Sequence, residues 1–521
     1  MRALLICIRV LTALPNDSVC CRRVPRLIGR QPRKDIRDES RQATLPWWRR
    51  LGCRSMTSVT IRTGSMGRPD HQCLHLRETP IDLCRGEPMR VEDSTQPGSL
   101  RELFSRLKEH PLVRVGPGLI TGVADDDPSG IATYSQAGAQ FGLGMLWTMP
   151  LAFPLMAAVQ SMCGNLGRVT GKGLAANIKA VFPPVVLYGV VTLLLIANTL
   201  NIAADVAAMG EAAELVTGID RHLMTAVFVL ASVFCQILVP YHRYVFFLKW
   251  LTLSLLAYAA VVFMVHVPWG QVALRTVWPA FRLDASSAAV VLGVFGTTIS
   301  PYLFFWQASE EVEDMQVKRG SAPLLSDPRA APTELRRIRW DTWSGMFYSD
   351  ITGWFIILAT GVTLHVAGVT HIETAAQAAS ALRPLAGDFA YLLFAVGIFA
   401  VGLIGVPVLA GSGAYALSES MGWKEGLEHS VAEARGFYGI IAASVLIALA
   451  LQYSPISPMR ALFWSAVING VVAVPLMVVI ILLVSKSSVM GPFTASRPVR
   501  TLGWIATAVM GFAALWTFVP H

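Results

Sequence analysis

Residues 115–141 read VGPGLITGVADDDPSGIATYSQAGAQF. Apolar sequence runs on both sides of three successive carboxylates, Asp125, Asp126 and Asp127. A carboxylate at bilayer depth costs about 2.5–3.5 kcal/mol on insertion scales, so acids in such a segment mark function. Pro128 has no amide hydrogen to donate, and it disfavours the helical conformation at Asp127. Gly130 adds conformational freedom. The stretch therefore predicts a membrane helix that unwinds around 124–130 and frees backbone carbonyls beside carboxylates. Carbonyl and carboxylate oxygens are what hard cations prefer. The plainer alternative is a solvated helix end.

The surrounding sequence agrees with a membrane setting. The chain is 54% hydrophobic and 15% charged, whereas soluble proteins carry roughly 25% charged residues. Apolar segments recur at 115–141, 145–166, 183–209, 222–239, 243–266, 288–316, 343–367, 388–416, 436–453, 459–484 and 501–518. Each is long enough to cross a hydrocarbon layer of about 30 Å. The expectation is an all-α integral membrane protein of about eleven transmembrane helices.

Loop charges orient these helices. Arg168, Lys172, Arg243, Lys318, Arg319, Arg329, Arg336, Arg337, Arg339, Lys424, Arg435, Lys486, Arg497 and Arg500 fall on one side; Arg221, Arg275, Arg282, Arg383 and Arg460 fall on the other. The positive-inside rule places the N-terminus in the cytoplasm and the C-terminus outside. The longest loop, about 317–342, then lies in the cytoplasm. A multi-pass protein of the cell membrane is expected, with a bacterial inner membrane the best fit.

The first 88 residues differ from the rest. The net charge of +9 is concentrated there, and the remainder is balanced. The tail also holds Cys7, Cys20, Cys21, Cys53, Cys73 and Cys84, whose spacings match no zinc pattern. The run 3–14, LLICIRVLTALP, is too short to span a bilayer and lacks a clear cleavage site. The tail reads as a disordered extension or a misassigned start upstream of Met89. Residues 89–114 read as a cytoplasmic N-terminal segment, and 115–521 as the transport domain. Since the basic excess belongs to the tail, it implies no nucleic-acid partner. Cys163 and Cys235, both in apolar segments, read as small core residues.

A second interruption, GTTISPYL at 296–303, falls in the sixth apolar segment. Helices interrupted at corresponding places in two halves are the sequence pointer to a transporter site at the interface of inverted repeats. Helices one to five and six to ten would form the repeats, with the eleventh outside them. A proline kink healed by Ser and Thr is also an ordinary membrane feature. It is the pairing with the first break that gives this one weight.

These residues resemble a family. DPSGIATYSQAGAQFG is similar to the first-helix signature of the Nramp divalent-metal transporters, GTTISPYLFFWQAS to their sixth helix, and AADVAAMGE to their third. The resemblance covers about 110–518 and implies the leucine-transporter fold, with 5+5 inverted repeats and broken helices 1 and 6. It places the family's metal-binding aspartate on Asp127. The family's asparagine falls on Gly130, its methionine on Ser300 and its histidine on Tyr302. In the third helix its aspartate falls on Asp205, but its glutamates fall on Ala208 and Asn198. A thioether favours transition metals over Mg2+. Its loss, with a roomier cavity at Gly130, suits a partly hydrated Mg2+. The pattern is similar to the Nramp-related magnesium transporters, a branch that moves Mg2+ and Mn2+ without proton coupling.

The expected metal site is therefore Asp127, the backbone carbonyls of Ala124 and Thr297, the hydroxyl of Ser300 (or a water on it), and the space at Gly130. Asp125, Asp126, Tyr302, Asp350 and Asn469 are vestibule candidates. One of the first two acids could instead cap a helix, Asp350 could sit solvated near a helix end, and Asn469 could simply bond another helix. Glu310, Glu311, Glu313 and Asp314 either guide ions by their field or form a solvated terminus. The metal is substrate, no cofactor is implied, the lipid bilayer is the surrounding partner, and oligomeric state stays open. The rival functions are proton-coupled Mn2+ or Fe2+ transport, an organic-substrate carrier and a non-transporting ion sensor. No nucleophile elbow, zinc motif or P-loop supports an enzyme.

Overall fold

The computed structural model describes residues 117–238, 252–279, 284–317, 321–427, 429–453 and 456–518. The tail, residues 89–114, the start of the fifth apolar segment, and the charges Arg243, Arg282, Lys318 and Arg319 lie outside these residues. So does the side chain of Cys235.

Among the described residues the fold is helical throughout. The first crossing is two helices, α1 (Pro117–Asp125) and α2 (Pro128–Phe141). They are followed by α3 (Thr148–Thr170), the short α4 (Leu174–Val181), α5 (Pro184–Thr217) and α6 (Arg221–Leu238). Next come α7 (Leu256–Met264) and α8 (Trp269–Val277). The sixth crossing is again split, into α9 (Ala285–Thr298) and α10 (Pro301–Val317). The remaining long helices are α11 (Ala331–Thr360), α12 (Ala390–Met421), α13 (Arg435–Leu451), α14 (Pro458–Ser485) and α15 (Arg497–Phe518).

Each expected apolar segment coincides with a helix, the fifth from residue 252 onward. Among the described residues, six helical stretches are long and apolar enough to cross a membrane, including Pro184–Thr217 and Pro458–Ser485, and the bent pair Pro128–Met145 and Thr148–Thr170 makes up to seven. Two boundaries differ from expectation. The third helix runs on to Thr217, where Gly218 ends it at φ +71°. The loop expected at 317–342 is helical from Ala331. Its added turns are held by ion pairs: Arg337 reaches Glu311 at 2.5 Å and Glu334 at 3.1 Å, and Arg168 reaches Glu334 at 3.3 Å.

The two split helices occupy the centre. Ala285–Val317 is 94% buried over its most apolar window, whereas Arg497–Phe518 is 28% buried and so faces outward. The α1 helix packs on α11, α10 and α12, and α2 packs on α11, α14 and α9. The α5 helix closes the other side against α12 and α14. Glycines let the broken helices approach their supports closely. A Cβ on Gly122 would overlap the backbone of Gly345, and one on Gly118 would stand 2.7 Å from the amide nitrogen of Thr342. The start of α1 is pinned by Asp341, whose carboxylate accepts from the amides of Gly118 at 2.7 Å and Leu119 at 3.3 Å. That contact supplies partners to amides that every helix start leaves free.

Candidate metal-binding site

The first break is built by its own residues. Asp127 is the N-cap of α2, with φ −67° and ψ 173°, and Pro128 takes the first helical position. Its Oδ1 accepts from the Gly130 amide at 2.9 Å and from Ser129 Oγ at 2.5 Å. An N-cap carboxylate satisfies otherwise orphaned amides and meets the positive end of the helix dipole. Asp127 is thus both at a helix end and 1% exposed, so the solvated-end alternative does not describe it.

Its second oxygen faces outward from the break. Oδ2 accepts from Asn201 Nδ2 on α5 at 2.9 Å and lies 3.3 Å from Tyr302 Oη on α10. The same tyrosine hydroxyl lies 3.1 Å from the carbonyl oxygen of Ala124. Ala124, Asp127 and Tyr302 are therefore drawn together, as the two halves of the sequence pattern require. Gly130 closes the gap between the breaks: a Cβ there would stand 3.3 Å from Thr297 Oγ1. Ser129 Oγ and Thr297 Oγ1 are 3.4 Å apart.

The second break is closed differently. Ser300 Oγ turns back to the carbonyls of Gly296 and Thr297, each at 2.7 Å. Its hydroxyl thereby supplies partners to carbonyls that α9 leaves unpaired at its end. The Thr297 carbonyl, expected to face the ion, is one of the two that Ser300 engages.

The vestibule candidates divide into two groups. Asp125 and Asp126 are buried and meet Ser349 Oγ, at 2.5 Å and 2.9 Å. Asp350 follows on the same helix and is 7% exposed, inside α11 rather than solvated at its end. Asn469 is buried in α14 with no hydrogen-bond partner for its amide, and no contact joins it to Asp127 among the described residues. The acids after the second break are partly neutralised. Arg337 pairs with Glu311 and lies 3.7 Å from Asp314, while Glu313 accepts from Tyr415 Oη at 2.7 Å.

Asn201 is the residue that sequence reading missed. Asn198, singled out for its place in the third helix, instead donates to the Leu409 carbonyl at 2.8 Å and Ser412 Oγ at 2.9 Å, both on α12. Asn201, one turn on, reaches Asp127, and its Nδ2 lies 3.5 Å from Asp205 Oδ2. Asn198, Asn201 and Asp205 recur at helical spacing on one face of α5. That polar stripe within an apolar helix was the available signal. Among the described residues, no three His, Cys, Asp or Glu side chains converge at the spacing of direct metal ligands. The site is one carboxylate supported by neutral hydroxyls, a backbone carbonyl and the Asn201 amide.

The sequence profile described as "Natural resistance-associated macrophage protein-like", Nramp, matches residues 118–520. The chain belongs to the Nramp family. It is similar to the divalent metal cation transporter MntH of Klebsiella pneumoniae (strain 342), 26% identical over 417 residues that span 78% of this chain and 94% of that one. Among solved structures it is similar to the Eremococcus coleocola manganese transporter, at TM-score 0.60 and 17% identity over 81% of this chain and 88% of that one. It is also similar to MhsT, solved with L-phenylalanine, at TM-score 0.54 and 14% identity over 78% and 98% of the two chains. These likenesses carry the fold: an all-α membrane bundle of the leucine-transporter class. As a member of this family the chain is a multi-pass transporter of divalent metal ions, and not an enzyme.

Proposed function

We propose that this Nramp member takes up Mg2+ and Mn2+ by alternating access, without proton coupling, with Asp127 as the principal ligand. The observation that carries the reading is the oxygen-rich lining of the joined breaks, in which the Asn201 amide is the one nitrogen-bearing side chain among the hydrogen-bond partners of Asp127. Around Asp127 stand the Ala124 carbonyl, the Tyr302 hydroxyl and the Ser129 and Thr297 hydroxyls. No thioether or imidazole is among its hydrogen-bond partners. Hard oxygen donors suit Mg2+ and Mn2+, and a thioether is what would select softer metals. Gly130 puts no side chain between the breaks, where even a Cβ would stand 3.3 Å from Thr297 Oγ1, so room for the ion and its water opens as the breaks part. Ser300 and the Thr297 carbonyl, engaged with each other, wall the second break beside the ion, and Asp125, Asp126 and Asp350 line its path.

With the N-terminus in the cytoplasm, the cell membrane drives a dication inward by about 4.6 kcal/mol per 100 mV, twice the single-charge value. Uptake then needs no second gradient. One observation favours the proton-coupled alternative. Asp205 is fully buried, has one oxygen without a partner, and is linked to Asp127 through Asn201. Such a chain of groups is a natural proton route.

Uptake of Mg2+ and Mn2+ into proteoliposomes, with internal pH recorded, tests both. Uptake of both ions without acidification, reduced to background by Asp127→Ala, is the expected result. Mn2+ uptake with acidification and no Mg2+ flux would establish the coupled reading instead.

A further inference from the structure

The three carboxylates of the first break are not alike. Asp127 has donors on both oxygens, from α2, α5 and α10. Asp125 and Asp126 face the opposite way, toward α11, and share one hydroxyl, Ser349 Oγ. Their other oxygens, Asp125 Oδ1 and Asp126 Oδ2, are buried with no hydrogen-bond partner. Asp350 adds a third carboxylate whose charge acts on Asp126's neighbourhood, and its Oδ1 is also unpartnered. Among the described residues, no Lys, Arg or His pairs with any of the three.

A group of a different kind points into the same place. Tyr134, on α2, is fully buried and its hydroxyl has no partner. The carboxylates that act on that hydroxyl are Asp125, Asp126 and Asp350, and then Asp127. Its ring end rests on α11 one turn beyond Asp350, where Tyr134 Cζ would stand 3.1 Å from a Cβ on Gly353. Four polar side chains from three helices thus leave oxygens unsatisfied around one volume.

Buried polar groups in folded proteins are nearly always satisfied, and orphans mark a place for water or an ion. Three buried carboxyls without a counter-charge must either keep their protons or hold a cation. We infer that Asp125, Asp126 and Asp350, with Ser349 and Tyr134, form a second cation station on the α11 side of the break, beside Asp127. The donors are hard oxygens, so the ion is a divalent cation of the Mg2+ and Mn2+ class. No three of the acids stand at the spacing of direct ligands. The ion therefore keeps water between itself and some of the carboxylates, as Mg2+ commonly does.

The inference rests on the reading of this chain as a divalent-cation carrier, and binding stoichiometry separates the two. Mn2+ is titrated into the full-length protein in detergent micelles, and the free ion is counted by its electron paramagnetic resonance signal. Two Mn2+ per chain are expected in the wild type, and one in either Asp350→Asn or Asp127→Asn. Tyr134→Phe, a milder change, should keep both ions but weaken the second about tenfold. One Mn2+ per chain in a wild type that transports would overturn the second station alone. Two retained in Asp350→Asn would do the same. No Mn2+ bound and no uptake would overturn the transport reading with it.

Discussion

The two helix breaks occupy corresponding places in the chain, yet they are closed by opposite means. At 126–127 the following helix is capped by Asp127, a charge, which gathers donors from α2, α5 and α10. At 299–300 the preceding helix is closed by Ser300, a neutral hydroxyl, which turns inward to its own carbonyls. The first break projects a charge across the bundle; the second turns its serine inward and sends only the neutral hydroxyls of Thr297 and Tyr302 toward the first. The pseudo-symmetry of the fold thus supplies two places where a backbone comes free, and the side chains make one a site and the other its wall.

The strongest test of this division lies in the supports of Asp127. Asn201→Ala removes a donor to a carboxylate, a bond worth about 1.5–3 kcal/mol, so uptake efficiency should fall about 10–100-fold in a proteoliposome assay. An unchanged rate would mean that the first break needs nothing from α5. Tyr302→Phe removes longer contacts, at 3.1 Å and 3.3 Å, and should lower efficiency about 3–10-fold, by the same scale of hydrogen-bond energies.

Ser300→Ala should act on stability and not on transport. Losing its bonds to Gly296 and Thr297 costs about 1 kcal/mol, which a thermal melt would register as about 1–2 °C. The Mg2+ KM should stay within about twofold of wild type, since binding is lost only where a ligand is removed. A tenfold rise in KM would show that Ser300 faces the ion during transport, and would make the two breaks more alike than they are here.

The smallest effect concerns a group away from both breaks. Glu425 lies in the loop after α12, and burial, then the charges of Glu419 and Glu313, raise its carboxyl to about 9. A carboxyl raised in the folded state holds a proton that the unfolded chain gives up. Its contribution to stability is therefore complete below the ordinary carboxylate range and is lost as pH rises through about 9. Melting temperature should fall between pH 5 and 9, and Glu425→Gln should make that slope shallower.

Much of this was legible because prolines and carboxylates are local signals. Pro128 and Pro301 announce breaks wherever they stand in an apolar run, and Asp127 needs no tertiary knowledge to be conspicuous. The partners of Asp127 are another matter. Asn201 reaches it because α5 crosses the break at one particular rotation, which hydropathy does not encode. Asn198, which the family resemblance marked only as the place of a lost glutamate, differs by three residues, and that turn of helix sends its amide to α12 instead. Ser300 shows the same limit. Its presence beside Pro301 was plain, but whether a hydroxyl turns to an ion or to its own backbone depends on a rotamer. The largest misses at helix ends were α5, which runs on to Thr217 through residues less apolar than its start, and α11, where ion pairs between distant residues extend the helix past its apolar part.

The contact between α1 and α11 has a mechanical consequence. Where Gly118 and Gly122 meet Gly345 and Thr342, the two helices touch largely through backbone, with the Thr342 hydroxyl beside them. Such a joint behaves more as a smooth bearing than as a gear: parting or sliding it disturbs few rotamers. The resistance to motion is then concentrated in the pins at its two ends, Asp341 on the first amides of α1 and Ser349 on its last carboxylates. One of those pins sits in the acidic cluster itself, so whatever occupies that cluster also sets how firmly the bearing is held.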